Sequence, residues 1–482
     1  MDYYISDETR MHNLIKSNLA TRVFSRLRQH PAWCYLDRQL FNVLLTVALP
    51  ITLQTIMLTS KGVIDVLMLG QLSEYDVAGA GIATRILFVF TILLSGVAIG
   101  GATLAAQHFG AKHQQGIKQS IQLSWVITTL VALCSIVFVS VLGHHVIHLT
   151  TRESDVFNVS HNYLLYAAPS LLFIAYQVSV AAGLRSMHQA STITLFSGIG
   201  IVLNISFNWV LIFGLFGLPA LGATGAAIGT TLATLLESIL LALYLGHKKH
   251  LLSRLYQSAR QTLNWQQYRH FLSIALPTTI NFLLWALGVF AYTAIMAQTG
   301  TSALAVLSII SPIEAFSLSL LVGIANASAV VVGNNLGAQD PQRAYYQAMY
   351  FALFAVIATL LVSLLLYFNL DTILNLFGGL SPDTIELARA FFVILCIGIL
   401  VRSIPTVMVV GVLRAGGDVK FCLYQDLISQ WMLGIPVAAI CALWLKLPAE
   451  YVFASFFLEA IVKWAACLYR FKSRKWMNNL AH

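Results

Sequence analysis

Twelve apolar segments, each long enough to cross a membrane, account for most of this 482-residue chain. An α-helix needs about 20 apolar residues to span the hydrocarbon core of a bilayer. The segments lie at residues 41–69, 81–107, 121–143, 162–184, 190–214, 222–245, 270–298, 303–332, 346–368, 387–413, 422–445 and 450–470. Only 10% of the residues are charged, whereas soluble domains average about 25%. The sequence therefore predicts an all-α integral membrane protein with twelve transmembrane helices.

The basic residues are distributed unevenly between the loops that join these segments. With the N-terminus placed in the cytoplasm, the cytoplasmic pieces hold 21 Lys and Arg residues, and the outer loops hold two, Arg152 and Lys446. Cytoplasmic loops of membrane proteins carry such an excess. The distribution predicts a multi-pass protein of the cell membrane, expected to be a bacterial inner membrane, with both termini in the cytoplasm. Basic residues confined to short loops also argue against a nucleic-acid-binding surface.

The two halves of the chain repeat at an offset of 227 residues. The stretch 48–52 (ALPIT) matches 275–279 (ALPTT), and Gly96 matches Gly323. Six helices followed by six in the same orientation predict two six-helix lobes, related by a pseudo-two-fold axis along the membrane normal. The predicted parts are an N-terminal segment at 1–40, an N-lobe at 41–245, a cytoplasmic linker at 246–269, a C-lobe at 270–470 and a cytoplasmic tail at 471–482. The segment 1–40 fits either a helix on the membrane surface or a disordered tail.

One carboxylate, Asp65, lies inside the first apolar segment, fifteen residues after Pro50. A charged side chain in hydrocarbon costs roughly 2.5–3.5 kcal/mol on insertion scales, so Asp65 must face protein or water. It is either a coupling site for a proton or a sodium ion, or the partner of Lys61, four residues earlier on one helix face. Asn204 and Asn208 lie at a similar depth and suit a shared cation site or interhelical hydrogen bonds. Pro50 predicts a bend in the first helix.

The C-lobe carries different charges. The repeat partner of the N-lobe carboxylate is Tyr292, so the C-lobe lacks this acid. Glu459 and Lys463 are four residues apart and predict an intrahelical pair. Glu314 and Arg402 predict a buried pair that either locks the C-lobe or contacts substrate.

Two further features have no settled role in the sequence. Glu237 lies in the sixth segment without an evident partner. His144, His145 and His148 follow the third segment, where both a metal site and a metal-free interfacial cluster are compatible with the pattern.

Several short motifs resemble those of multidrug and toxic compound extrusion (MATE) transporters. They are the helix exits 107–111 (QHFGA) and 333–338 (GNNLGA), the stretch 413–418 (LRAGGD), Asn204 and Asn208 before Gly214, and Pro50 fifteen residues before Asp65. The resemblance covers about residues 40–470 and implies a twelve-helix, two-lobed exporter of organic, often cationic, compounds, driven by inward movement of protons or sodium ions. Two positions depart from the family. Trp285 stands where one branch carries a glutamate, and Asn208 stands where another carries an aspartate. The coupling ion is therefore left open.

These observations together predict a secondary active multidrug exporter that works by alternating access. The rival prediction is a flippase for lipid-linked or polysaccharide precursors, which has a related architecture. An enzyme is not predicted, because the histidines lie mostly at loops, and the lack of a Walker motif argues against ATP as the direct driver. Trp285, Tyr292 and Asn281 are candidates for the substrate cavity. The expected partners are small organic substrates and the lipid bilayer. A monomer is expected, with no cofactor beyond the coupling ion, H⁺ or Na⁺, for which sodium at Asp65 is one candidate.

Overall fold

The computed structural model describes residues 38–253, 265–375 and 382–481, which form helices joined by short turns. Its candidate membrane spans are α1 (Leu40–Leu69), α2 (Glu74–Gly110), α3 (Gln114–His148), α4 (Ser154–Ala167 with Ser170–Ser186), α5 (Ala190–Phe213), α6 (Gly222–His247), α7 (Trp265–Ala297), α8 (Thr301–Gly337), α9 (Pro341–Phe368), α10 (Thr384–Leu413), α11 (Val419–Trp444) and α12 (Ala449–Lys472). All twelve predicted segments are thus present. The surface-helix prediction for the N-terminal segment and part of the linker, residues 1–37 and 254–264, lie outside the described residues.

Two helices begin earlier than their apolar segments because their polar first turns are capped. α2 begins at Glu74, where the Ser73 hydroxyl accepts the Asp76 N–H at 3.1 Å and donates to its carboxylate at 2.7 Å. α9 begins at Pro341, where the Asp340 carboxylate accepts the Arg343 N–H at 3.0 Å. Such caps satisfy N–H groups that the first turn of a helix leaves unpaired. Hydropathy alone misses these turns because their residues are polar.

The span α4 is broken into two helices. Ser154–Ala167 and Ser170–Ser186 meet at an angle of 49°. Pro169 stands at the break, where it removes a backbone donor and restricts the residue before it. The sequence predicted a single segment at 162–184, so the bend and the additional first turns come from the structure.

Prolines elsewhere are accompanied by local widening of the helix. A π-helical turn, Leu44–Ala48, directly precedes the turn of α1 that contains Pro50. Proline donates no backbone hydrogen bond, and its ring crowds the carbonyl four residues earlier, which a wider turn accommodates. A similar turn, Val407–Leu413, follows Pro405 in α10. The structure thus places a local distortion at Pro50, whose role in helix bending stays a prediction.

Close helix crossings repeat the sequence offset in space. A Cβ atom added at Gly96 in α2 would overlap Thr279 in α7, and one added at Gly323 in α8 would overlap Thr52 in α1. Each residue of the first crossing lies 227 positions from its counterpart in the second. Glycine permits such close backbone approach between membrane helices. The architecture is therefore two lobes, α1–α6 and α7–α12, related by a pseudo-two-fold axis.

The first halves of α1 and α7 pack against the opposite lobe. Val47 and Ile51 of α1 are buried in one cluster with residues of α8, α9 and α10. In the matching arrangement, Phe271 and Ala275 of α7 are buried with residues of α2 and α3. The second half of α1 returns to the N-lobe, where Met68 packs among α2, α4, α5 and α6. One helix of each lobe therefore crosses the interface, and α1 carries Asp65 beyond that crossing.

Most basic residues gather at one end of the helices, named here the basic end. It comprises the turns at 111–113, 187–189, 248–253, 338–340 and 414–418. There α2 and α8 touch, since a Cβ atom at Gly110 would overlap Asn334 and one at Gly337 would overlap Gln107. The two lobes are therefore in direct backbone contact at this end.

The C-terminal segment 473–481 covers this junction. Gln107 of α2 is fully buried, and its Nε2 donates to the carbonyl oxygens of Ala415 at 2.7 Å and Asn478 at 3.1 Å. Its Oε1 accepts the N–H of Leu480 at 2.5 Å. Trp476, also fully buried, anchors the segment. The segment thus joins α2 of the N-lobe to the turn after α10 of the C-lobe.

Candidate functional site

Asp65 lies in the second half of α1 with 19% of its side chain exposed. Its Oδ2 is 3.0 Å from the Nζ of Lys61, and its Oδ1 accepts a hydrogen bond from the Nδ2 of Asn208 at 2.9 Å. Of the two interpretations that the sequence allows, the pair with Lys61 and the association with the asparagines, the geometry contains both contacts. One carboxylate oxygen meets a fixed cation, and the other meets an amide.

A chain of polar contacts continues from Asn208 into α6. The Nδ2 of Asn208 also lies 3.4 Å from the Oδ1 of Asn204, and the Nδ2 of Asn204 donates to the Oγ1 of Thr230 at 3.1 Å. The Oδ1 of Asn208 is buried and has no hydrogen-bond partner within the described residues. Gly229 lets α6 approach this atom, since a Cβ there would overlap it. Thr230, which the sequence analysis missed, thereby joins the cluster.

This cluster offers oxygen atoms to a small cation, or a place to hold a proton. Carboxylate, amide and hydroxyl oxygens are the ligands that hard cations prefer. A protonated Asp65 would become a donor to an amide oxygen. The unpartnered Oδ1 of Asn208 fits either role, because a buried acceptor ordinarily has a partner. The residues present are therefore compatible with a proton or with sodium.

A cavity of about 440 Å³ opens beside the cluster, between the N-lobe and helices α8 and α10 of the C-lobe. Lys61, Asn204 and Thr230 line it, whereas Asp65 is not part of the wall. Much of the remaining wall consists of small and apolar residues of α2 and α4. Small-molecule sites typically have volumes of about 300–1,000 Å³ and mostly apolar walls. The carboxylate thus acts on this cavity through neighbours that line it.

Two more charged residues line the same cavity, Arg185 at the end of α4 and Glu237 in α6. The Nη2 of Arg185 donates to the Oε1 of Gln54 at 2.6 Å, and the Nε2 of Gln54 donates to the Oγ of Ser197 at 2.7 Å. Glu237 is 8% exposed and interacts with Ser197 and Gln177. The sequence counted Arg185 as a loop charge and left Glu237 without a partner, whereas the structure places both in the cavity wall.

A continuous polar network occupies the C-lobe. Lys463 of α12 lies 3.0 Å from Asp426 of α11 and 3.4 Å from Glu459. Glu459 accepts a hydrogen bond from the hydroxyl of Tyr292 at 2.8 Å, and Asp426 accepts one from the Nδ2 of Asn281 at 2.7 Å. The pair of Glu459 with Lys463 is present, but the shorter contact of Lys463 is with Asp426. One ammonium thus neutralises two buried carboxylates.

The network ends at Arg414, which is only 4% exposed. Its Nη2 donates to the Oδ1 of Asn281, and its guanidinium lies 4.7 Å from the centre of the Phe282 ring. The sequence analysis missed Arg414 and Asp426 as interior charges. A signal was available for Arg414, because the chain repeat pairs Gln54 with Asn281, so that the guanidinium–amide contact of Arg185 recurs in the C-lobe.

Arg402 and Glu314 form an ion pair that joins α10 to α8. Arg402 also lies 4.7 Å from the centre of the Phe457 ring. The two charged side chains are 28% and 21% exposed, compared with 11% and 13% for Lys463 and Asp426. Solvent screening weakens the more exposed pair, so the lock in the C-lobe rests mainly on the Lys463 network.

The histidines cluster at the end of α3 opposite the basic end. The ring centroids of His144 and His148 are 4.6 Å apart, and His161 of α4 joins them at 6.1 Å from His144. Phe157 stacks on His148 at 4.3 Å. Among the residues that the structure describes, no group of three or more His, Cys, Asp or Glu side chains is arranged to hold a metal ion. The cluster is therefore a stack of aromatic rings.

The three residues predicted to line a substrate cavity lie elsewhere. Tyr292 and Asn281 are 7% and 2% exposed and belong to the C-lobe network. Trp285 is 45% exposed on α7 and lines neither of the two cavities described in this article. The described cavity of the N-lobe is built instead around Lys61, Arg185 and Glu237.

Comparison with known proteins places these features in a family. The family model described as MatE matches residues 50–210 and 277–440, two stretches whose starts are 227 residues apart. The uncharacterized transporter YisQ of Bacillus subtilis is 27% identical over 440 residues, covering 89% of this chain and 93% of its own length. The probable multidrug resistance protein NorM of Mannheimia succiniciproducens is 27% identical over 407 residues, covering 82% of this chain and 85% of its own length.

Solved structures share the fold. The crystal structure of a mutant of the Vibrio cholerae MATE transporter VcmN superposes with a TM-score of 0.83 at 21% identity, covering 94% of this chain and 100% of that one. The eukaryotic MATE transporter AtDTX14 gives a TM-score of 0.79 at 18% identity, covering 92% of this chain and 97% of that one. The twelve-helix, two-lobed arrangement is common to all of them.

Proposed function

The chain belongs to the MatE family, the multidrug and toxic compound extrusion transporters, and we propose that it exports organic, often cationic, compounds by ion-coupled antiport. The observation that carries this proposal is the cluster of Asp65, Lys61 and Asn208 beside a cavity of about 440 Å³. Relatives named as probable multidrug resistance proteins support the substrate class. The rival prediction of a precursor flippase gains no support from those relatives.

Charge balance explains how an ion and a cationic substrate would exclude each other. Two acids, Asp65 and Glu237, and two bases, Lys61 and Arg185, lie in or directly behind the cavity wall. A proton on either acid, or sodium at Asp65, adds one positive charge to this set. An organic cation also adds one, and repulsion between the two is strong in a poorly solvated interior. The site therefore favours one or the other, as antiport requires.

Exchange becomes transport when the two states of the lobes open the cavity to opposite sides. The ion must bind one state more tightly than the other, because equal affinity shifts no equilibrium. α1 is suited to this coupling, since its first half packs on the C-lobe while Asp65 lies in its second half. A change of charge at Asp65 thus acts on a helix that contacts both lobes.

Purified protein in liposomes is expected to move a fluorescent organic cation against its gradient when an ion gradient is imposed. A proton gradient and a sodium gradient are applied in separate experiments, with ionophore-collapsed gradients as controls. A response to one gradient identifies the coupling ion. Failure of both gradients to drive any of a panel of organic cations would contradict the proposal.

We also propose that the basic end faces the cytoplasm, as the distribution of Lys and Arg predicts. In a cysteine-free background, a cysteine at Ser258→Cys, in the linker, should resist a membrane-impermeant thiol reagent added to intact cells. Phe216→Cys is the matched control at the opposite end, where Phe216 is 92% exposed, and it should react. Efficient labelling at residue 258 with none at residue 216 would invert the topology.

A further inference from the structure

A second cavity, of about 940 Å³, lies at the basic end between the two lobes. The N-lobe contributes the turns that follow α2, α4 and α6, and the C-lobe contributes the end of α8 and the start of α9. No residue lines both this cavity and the one beside Asp65. The cavity is therefore a distinct space, which no step of the proposed transport cycle uses.

The wall of this cavity carries positive charge and, among the described residues, no acid. Its charged members are Lys112, Lys248, Lys249 and Arg343. Asp340 precedes Arg343 by three residues but is outside the wall, and its carboxylate caps α9. Positive charges that gather in one concave space raise the local concentration of anions. The chemistry of the wall thus calls for a negatively charged occupant.

The backbone shows that some of these side chains are retained at a cost. Lys112, His188 and Lys249 follow the ends of α2, α4 and α6 with φ angles of 56°, 60° and 48°. Glycine usually takes this left-handed position, because a Cβ atom is strained there. The chain carries a nitrogen-bearing side chain at all three positions, and all three line the cavity. Backbone strain of this kind is characteristic of ligand-binding sites.

Uncharged donors complete the wall. Burial lowers the pKa of His188 and of His250 below the ordinary value, so both rings are neutral at pH 7. The Nδ1 of His250 accepts the N–H of Leu252 at 3.2 Å, which leaves the ring proton on Nε2. Lysine, arginine and neutral N–H groups together match phosphate, which carries more than one charge and several acceptor oxygens.

We propose that this cavity binds a phosphate-bearing anion that bridges the N-lobe lysines and the C-lobe wall at Arg343. Bound there, the anion holds the basic ends of the lobes together and favours the arrangement in which α2 and α8 touch. An anionic lipid headgroup and a soluble phosphorylated compound present the same chemistry. The proposal goes beyond transport and is independent of the coupling ion.

The test measures binding and thermal stability of the full-length protein in two settings. Inorganic pyrophosphate is titrated in detergent, and nanodiscs of phosphatidylglycerol are compared with nanodiscs of phosphatidylcholine. The cavity variant carries Lys112→Asn and Lys249→Asn, since asparagine tolerates the left-handed conformation. We expect a saturable rise in Tm for the natural protein and binding at least about 10-fold weaker in the variant. A control variant, Lys420→Gln with Lys472→Gln, removes two exposed lysines outside the cavity and should bind normally.

Each outcome decides the proposal or its source. A rise with pyrophosphate that the cavity variant loses supports a soluble phosphate compound, and a rise confined to phosphatidylglycerol that it loses supports a lipid headgroup. No rise in either setting overturns the proposal. A rise that the cavity variant keeps, or that the control variant loses equally, also overturns it, because general surface charge would then suffice.

Discussion

Replacing Asp65 by asparagine is expected to reduce gradient-driven export to the level of liposomes without protein. Asparagine has nearly the same shape, and its carbonyl oxygen can still accept a bond from Lys61 or Asn208, so the protein should remain folded. It can neither take up and release a proton nor present a negative charge to sodium. The substrate cavity is unchanged, so binding of an organic cation should stay measurable while export is lost.

Two controls isolate the role of Asp65. Lys61→Ala removes the cation 3.0 Å from the carboxylate, and it should change stability or the pH dependence of export without ending it. Glu237→Gln neutralises a second acid of the same cavity and tests whether any loss of charge there suffices. Full export by Asp65→Asn under a proton or a sodium gradient would remove Asp65 from the mechanism and direct attention to Glu237 and the C-lobe acids.

Lys463→Ala is expected to destabilise the folded protein by about 3–5 kcal/mol, the usual effect of removing one partner from a buried ion pair. The substitution leaves Asp426 and Glu459 as two buried carboxylates without a cation. The measurement is the fraction of monodisperse protein after extraction and its resistance to denaturant. A triple variant, Lys463→Met with Asp426→Asn and Glu459→Gln, removes all three charges and should recover much of the loss, since neutral groups avoid the burial of charge.

An exposed ion pair supplies the matched control. Arg389 and Asp371 are 2.7 Å apart, but their side chains are 55% and 69% exposed. Arg389→Ala should therefore have little effect on the same measurements. If Lys463→Ala is as stable as the natural protein, the C-lobe network is not a structural lock, and its groups become candidates for substrate or ion binding.

Much of the fold follows from the sequence because lipid imposes a length on every apolar segment. The limits at 41–69 and 387–413 agree closely with α1 and α10. Contacts within one helix were also accessible, because residues four apart share a face, as with Lys61 and Asp65. The break at Pro169 escaped notice, since Ser154–Ala167 is more polar than an average span.

The contacts that pattern reasoning missed join residues from different helices. Arg185 and Arg414 looked like loop charges because each follows an apolar run, yet one lines a cavity and the other is buried. Their partners, Gln54 and Asn281, are more than 130 residues away in the chain. Such contacts depend on how the lobes pack, and single-sequence periodicity carries no information on that packing.

The position of the C-terminal segment has a consequence for biosynthesis. Gln107 enters the membrane early, but its hydrogen-bond partners follow 308 to 373 residues later in the chain. At about 5–20 residues per second, the ribosome reaches the last of them roughly 20 to 70 seconds after Gln107. Until then the buried amide has no permanent partner at this junction. The final contact between the lobes therefore forms only after translation ends, which makes release of the chain from the ribosome the event that completes the transporter.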